Sequence, residues 1–105
     1  MASGRLGSAD LSATTETTIY TVAASTLAVC SVSICNRGAV AATIRLAIAD
    51  DAAAEADKWI LYGYVIDPGG FLERTGLVLA ATQRLNAYSD VANTSWVAYG
   101  YEEAV

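Results

Sequence analysis

Apolar and polar residues alternate with a period of two along most of this chain, the pattern of strands that bury one face and wet the other. Residues 41–49, AATIRLAIA, show it most plainly: Ile44, Leu46 and Ile48 share one side, and Thr43, Arg45 and Ala47 the other. The first side enters a core, and the side of Arg45 meets water or a partner. Residues 27–35, LAVCSVSIC, set Cys30, Val32 and Ile34 against Leu27, Val29, Ser31 and Ser33. Asn36, Arg37 and Gly38 close that run, since Asn and Gly tolerate positive φ, and leave the 41–49 run close enough to be its hairpin partner. Residues 14–22, TTETTIYTV, are rich in β-branched side chains and read as a further strand, followed by a turn at 23–26.

Residues 58–66, KWILYGYVI, are apolar on both sides and predict a strand covered twice, by the core and by an opposing sheet or subunit. Gly63 within it marks a bulge or a close backbone approach. The only proline stands in Asp67-Pro68-Gly69-Gly70, turn chemistry that separates this run from residues 71–88, FLERTGLVLAATQRLNAY. That stretch organises the chain, with strands at 71–74 and 77–80, a turn at Ala81-Thr82 and a strand at 84–89. A loop at 90–94 and a last strand at 95–101 follow, and the final EEAV reads as a charged, exposed tail.

Residues 1–12 are Gly, Ser and Ala rich without periodicity. They read as an arm, flexible or clasping a partner, ahead of a single domain over 13–105. Residues 50–57, DDAAAEAD, fit a short helical turn or an exposed loop and make the chain's protruding connection. Seven or eight short strands at roughly ten-residue spacing predict an all-β fold, an antiparallel β-sandwich of jelly-roll or immunoglobulin-like type.

Composition adjusts this picture in two respects. Of the 105 residues 54% are apolar and only 16% charged, below the usual quarter, which fits either a protomer covered by neighbours or simply an alanine-rich sequence. The net charge of −5 and the single, scattered cations at Arg5, Arg37, Arg45, Lys58, Arg74 and Arg84 disfavour a nucleic-acid surface, which needs clustered cations. No run is long and apolar enough for a membrane helix, and the first dozen residues lack the apolar segment of a secretory signal, so a soluble protein is expected. Cys30 and Cys35, on one extended strand, would point to opposite faces ~16 Å apart at about 3.3 Å per residue, too far for a disulfide. They read as small apolar fillers.

Chemistry is sparse. The acidic group Asp50, Asp51, Glu55 and Asp57 lacks the order and the glycine of a calcium loop and reads as solvated. Two cysteines without histidine disfavour zinc. Glu73 and Arg74 suggest an ion pair, within the protomer or across an interface, since glycoside hydrolysis needs a second carboxylate in comparable context. Without histidine, a nucleophile elbow or a phosphate-cradling loop, no general-base arrangement assembles, so no catalytic residue, cofactor or metal is expected. Tyr62, Tyr64, Tyr88, Trp96, Tyr99 and Tyr101 lie on predicted strands, where they fill a core or form a sugar-binding or protein-binding platform.

Several short segments, in order along most of the chain, resemble small structural proteins of tailed-phage virions. They are Gly4 to Leu6, Thr17-Thr18-Ile19-Tyr20-Thr21-Val22, Asn36-Arg37-Gly38 leading into Ala42-Thr43-Ile44-Arg45, Leu72-Glu73-Arg74-Thr75-Gly76-Leu77, and Tyr99-Gly100-Tyr101-Glu102-Glu103. The chain departs from that group after Val22, where Ala23-Ala24-Ser25-Thr26 replaces a Pro-Ala-Gly turn, and in having two tryptophans. The resemblance implies a non-enzymatic β-sandwich carried on the virion in many copies and assembled in the host cytoplasm. Its foremost role would be a capsid decoration or cement protein that bridges shell subunits, by analogy a trimer. The alternatives are a tail, collar or fibre component, or a carbohydrate-binding module contacting the host surface. The partners implied are the major capsid protein or tail proteins, with neither nucleic acid nor membrane. The interface candidates are Arg5, Leu6, Arg45, Glu73, Arg74, Tyr99 and Tyr101.

Overall fold

Eight segments extend where β-branched and aromatic side chains alternate with small or polar ones. In the computed structural model, which describes residues 2–105, they are β1 Ser3–Leu11, β2 Thr17–Thr21, β3 Thr26–Asn36, β4 Ala42–Ala49, β5 Trp59–Ile66, β6 Phe71–Leu79, β7 Arg84–Ser89 and β8 Thr94–Ala104. They form two four-stranded antiparallel sheets, ordered β1-β8-β3-β6 and β2-β7-β4-β5, packed as a sandwich. Each strand pairs with the one equally far from the other end of the chain: β1 with β8, β2 with β7, β3 with β6 and β4 with β5. The chain is thus one long hairpin bent between β4 and β5 and rolled up, and the ladders β3·β8 and β4·β7 complete the two sheets. That order is a jelly roll and not an immunoglobulin arrangement.

Rolling sends almost every connection across from one sheet to the other, so the expected hairpin between 27–35 and 41–49 does not form. β3 and β4 lie in different sheets, and the corner between them is held by Asn36, whose side chain is fully buried. Its Nδ2 donates to the carbonyls of Val40 at 2.8 Å and Ile66 at 3.0 Å, and its Oδ1 accepts from the Gly38 amide at 3.0 Å. One amide therefore ties this corner to the Pro68 turn, where the Gly69 amide donates to the Asn36 carbonyl.

The segment expected to be an arm over 1–12 is β1 over Ser3–Leu11, with Met1 outside the described residues. Glycines and serines give it little apolar surface, and its strand form comes from the backbone ladder to β8. β5 also differs from expectation. It is an edge strand whose residues Tyr62, Gly63, Tyr64 and Val65 are all exposed, so neither of its sides is covered twice. Gly63, at φ +78°, is the extra residue of a bulge between the pairs Ile44–Tyr64 and Arg45–Tyr62. A second register shift opposite Leu46 and Ala47 breaks the alternation of β4, which leaves Ala47 buried and Ile48 only partly so. Strands 71–74 and 77–80 merge into the continuous β6, and the last strand runs on through Glu102 and Glu103.

The core between the sheets is built on Trp96, Ile34, Ile44, Leu46, Leu79 and Leu85, all without exposure. The Trp96 indole donates to Thr94 Oγ1 at 3.0 Å, so its one polar group is satisfied. Where β8 passes β3, the ladder accepts no side chain. A Cβ on Gly100 would lie 2.1 Å from the Val29 carbonyl oxygen and 2.7 Å from the Cys30 Cα. Gly100→Ala is expected to lower the unfolding free energy by about 2–3 kcal/mol, the range for overpacking, read as a lower urea midpoint at unchanged slope.

Two buried acids set an alkaline limit. Cys30 is almost fully buried, and this pushes its thiol from 9.0 up to about 11. The Tyr20 phenol stands above its ordinary 10.0 because it is buried and because its hydroxyl donates to the Glu102 carboxylate. In both cases the folded state holds the proton longer than the unfolded chain does. The stability they contribute is therefore complete below pH 9, and the Cys30 share is lost as pH rises through about 11. The Tyr20 share begins to fall at pH 10 and extends further. The thermal midpoint should drop from pH 9 to 11, and Cys30→Ala should flatten the first part of that drop.

Candidate functional site

Every second side chain of the first sheet points away from the core, and register decides which of them meet. Arg5 on β1 faces Tyr99 on β8, and Tyr99 faces Ser31 on β3. The Tyr99 hydroxyl then reaches over β3 and donates to Glu73 Oε2 on β6. That bond raises the phenol above its ordinary 10.0, since ionisation would set two anions side by side. Two residues further, Tyr101 faces Ser3 on one side and Val29 on the other, and Val29 faces Val78. Four of the sequence-predicted residues, Arg5, Glu73, Tyr99 and Tyr101, thus converge on one face from three strands.

The face mixes apolar, hydroxyl and charged side chains. Phe71, Val78 and Tyr101 remain 77%, 56% and 46% exposed, among hydroxyls such as Ser31, Ser33 and Ser95. At one margin Arg37 pairs with Asp10 at 2.6 Å and donates to Ser95 Oγ. Cys35 is exposed here and Cys30 is buried, and both are free thiols, as their opposite parity on β3 requires.

Three predicted residues lie elsewhere. Leu6 sits in the bulge between Arg5 and Gly7 and packs against the core. Arg74 faces Val32, a core position, and reaches only the Thr75 carbonyl. The Glu73–Arg74 ion pair is absent within the protomer because successive residues of a strand point to opposite faces; Glu73 takes the Tyr99 hydroxyl instead. Arg45 belongs to the second sheet, where its guanidinium lies 4.3 Å from the Tyr62 ring centroid and 4.5 Å from that of Tyr88. Period-two spacing marked these tyrosines as candidates, but only the pairing of β4 with β5 and β7 brings them to Arg45.

The 50–57 connection is mostly exposed and ends in a short helical turn at Ala56–Lys58, as expected, but it is tethered to the second sheet. Asn86, fully buried, donates to Glu16 Oε2 at 2.8 Å and to the Asp51 carbonyl at 2.9 Å, and Glu16 also accepts from the Ala54 amide at 2.8 Å. The connection is thereby laid against the second sheet. Among the described residues no three acidic or cysteine side chains gather as a metal site, so the acidic residues of this connection stay apart. Of the predicted aromatics Trp96 is core. Among the described residues no helix is long and apolar enough to cross a membrane.

Compared with known proteins, the chain matches no family profile, no curated sequence and no solved structure.

Tyr99 provides a local probe of the face. With labelled tyrosine, its NMR titration should have a midpoint above 10.0, and Glu73→Gln should bring it back toward that value. A Tyr99 midpoint that ignores the Glu73 substitution would show that the two side chains do not meet in solution.

Proposed function

We propose that this chain is a non-enzymatic structural protein of a tailed-phage virion, foremost a capsid decoration or cement subunit. The observation that carries this is the outer face of the first sheet, where Phe71, Val78 and Tyr101 stay exposed. Val78 and Tyr101 flank Val29, and Phe71 stands beside Cys35 near the other end of β3, so apolar anchors are spread along the face among small hydroxyl residues, an arrangement that suits a broad protein contact. The jelly roll supports the reading by analogy, since viral shells use that architecture, though fold alone does not assign function.

In this role the protein sits over seams between shell subunits, and its long, stiff strands present a surface that changes little on docking. Self-association, three-fold by the resemblance, multiplies each contact, so individually weak interfaces hold through avidity. Arg5, Glu73 and Tyr99 would set register at the centre of the contact, while Phe71, Val78 and Tyr101 supply buried apolar area.

Immunogold labelling of gradient-purified particles that carry this gene should decorate heads. Label confined to tails, or none on particles, would overturn the cement role. Val78→Lys should reduce copies per head severalfold while leaving the thermal midpoint of the isolated protein within a few degrees, because Val78 is more than half exposed.

A further inference from the structure

The opposite face of the molecule carries a concave site that a flat protein contact does not explain. Arg45 lies between the rings of Tyr62 and Tyr88, so its charge is held against two π faces and the tilt of Tyr62 is fixed. Trp59 meets Tyr62 edge-on, with centroids 5.7 Å apart and planes at 74°. The two rings stand as perpendicular walls, and with Ala56 they line an open cleft of about 460 Å³. That is the size of a small-ligand site. Tyr62 is 64% exposed, so its ring serves the cleft more than the core. The chain leading to Ala56 is anchored upstream by Glu16 and Asn86, so this side of the cleft is built before any ligand arrives.

We propose that this cleft binds one pyranose ring of a neutral glycan. A sugar offers an apolar C–H face ringed by hydroxyls, which complements an aromatic wall with a polar margin. In sequence Ala56 stands between the exposed Glu55 and Asp57, and Lys58 Nζ lies 3.5 Å from Asp57. Charge narrows the choice. Two carboxylates next to Ala56, on a chain of net charge −5, repel uronic and sialic acids. A cationic ligand would meet Arg45, which already occupies the space between the tyrosines. Tyr64 and Val65 beside Tyr62 on the same edge strand are exposed as well, so a second copy of the chain is the competing occupant, and self-association separates the two. A sugar site here does not depend on the virion role, because it is tested on the isolated chain.

The intact protein is applied to an array of neutral and acidic oligosaccharides, and hits are titrated by tryptophan fluorescence. Of the two tryptophans Trp96 is fully buried, so a change in emission reports Trp59. At least one neutral glycan should give a saturable change with Kd of about 0.1–1 mM, ordinary for a single-ring contact. Tyr62→Ala should weaken it at least tenfold at an unchanged thermal midpoint, Arg45→Lys severalfold through loss of the planar stack, and Val78→Ala on the other sheet not at all. Absence of any neutral hit, equal binding of acidic glycans, or full binding by Tyr62→Ala would each overturn the proposal. So would self-association at working concentration that Tyr62→Ala abolishes, because a second copy would then fill the cleft.

Discussion

The ladder between β3 and β8 is the contact on which the rest of the molecule depends. It pairs residues from Thr26–Ala104 to Asn36–Thr94 without a register break, whereas β1·β8, β2·β7, β3·β6 and β4·β5 each carry at least one shift. The inward side of this double strand places Ala28, Cys30, Val32, Ile34, Trp96 and Ala98 in the core, and its outward side carries Val29, Ser31, Ser33, Tyr99 and Tyr101. Its straightness depends on Gly100, the one position where the two backbones approach too closely for a side chain. Since the ladder joins segments far apart in sequence, closing it costs loop entropy before the core repays any of it, the condition under which β-sandwiches fold slowly.

Six of the chain's 21 alanines are placed by packing once the sheets are in view. Ala28, Ala42, Ala47, Ala49, Ala87 and Ala98 are all buried. Small residues opposite Trp96 and the branched aliphatics let the layers interdigitate at normal packing density. With so little side-chain volume at these positions, enlarging any of them costs more than it would in a looser core. The buried polar residues are Thr26, Asn36, Asn86, Ser89 and Thr94, and the two asparagines among them act as ties between elements. Asn36 fastens β3 to the Pro68 turn, and Asn86 fastens the 50–54 chain to the second sheet, each with its amide nitrogen satisfied. One side-chain amide thus holds the corner between β3 and β4, and the other, inside the ladders of β7, reaches out of its sheet to hold the 50–54 chain.

How much of this was legible in the sequence follows from the range over which each feature is determined. Period-two alternation is local, so strands β3, β4, β7 and β8 could be read directly, as could the Gly63 bulge and the Pro68 turn. β1 could not, because Gly4, Gly7 and Ser8 carry no periodic signal and the strand exists only as a partner of β8. β5 was misjudged for the converse reason: apolar residues on both sides of a strand look the same whether a second layer covers them or they are left open at an edge. The outer face was half legible. Arg5, Tyr99 and Glu73 could be suspected one by one, but their meeting depends on a hydrogen bond that crosses an intervening strand. The clamp around Arg45 was hidden for the same reason, since its two tyrosines come from neighbouring strands far apart in the chain.

The two outer faces differ because the sheets that carry them are covered differently. The alternate residues of the first sheet form one broad surface of apolar, hydroxyl and charged side chains, with Arg37 of the β3–β4 connection laid on its margin against Asp10 and Ser95. The second sheet is partly roofed by residues 50–54, held there by Glu16 and Asn86, and the surface left open is reduced to the strip beside Trp59 and Tyr62. A broad surface suits a large partner because buried area accumulates over many small contacts. A strip bounded by a tethered segment suits a small ligand, because the boundary confines it and is already ordered before binding. Because the two surfaces lie on opposite sides of the sandwich, occupation of the first sheet's outer face would leave the strip beside Trp59 and Tyr62 open.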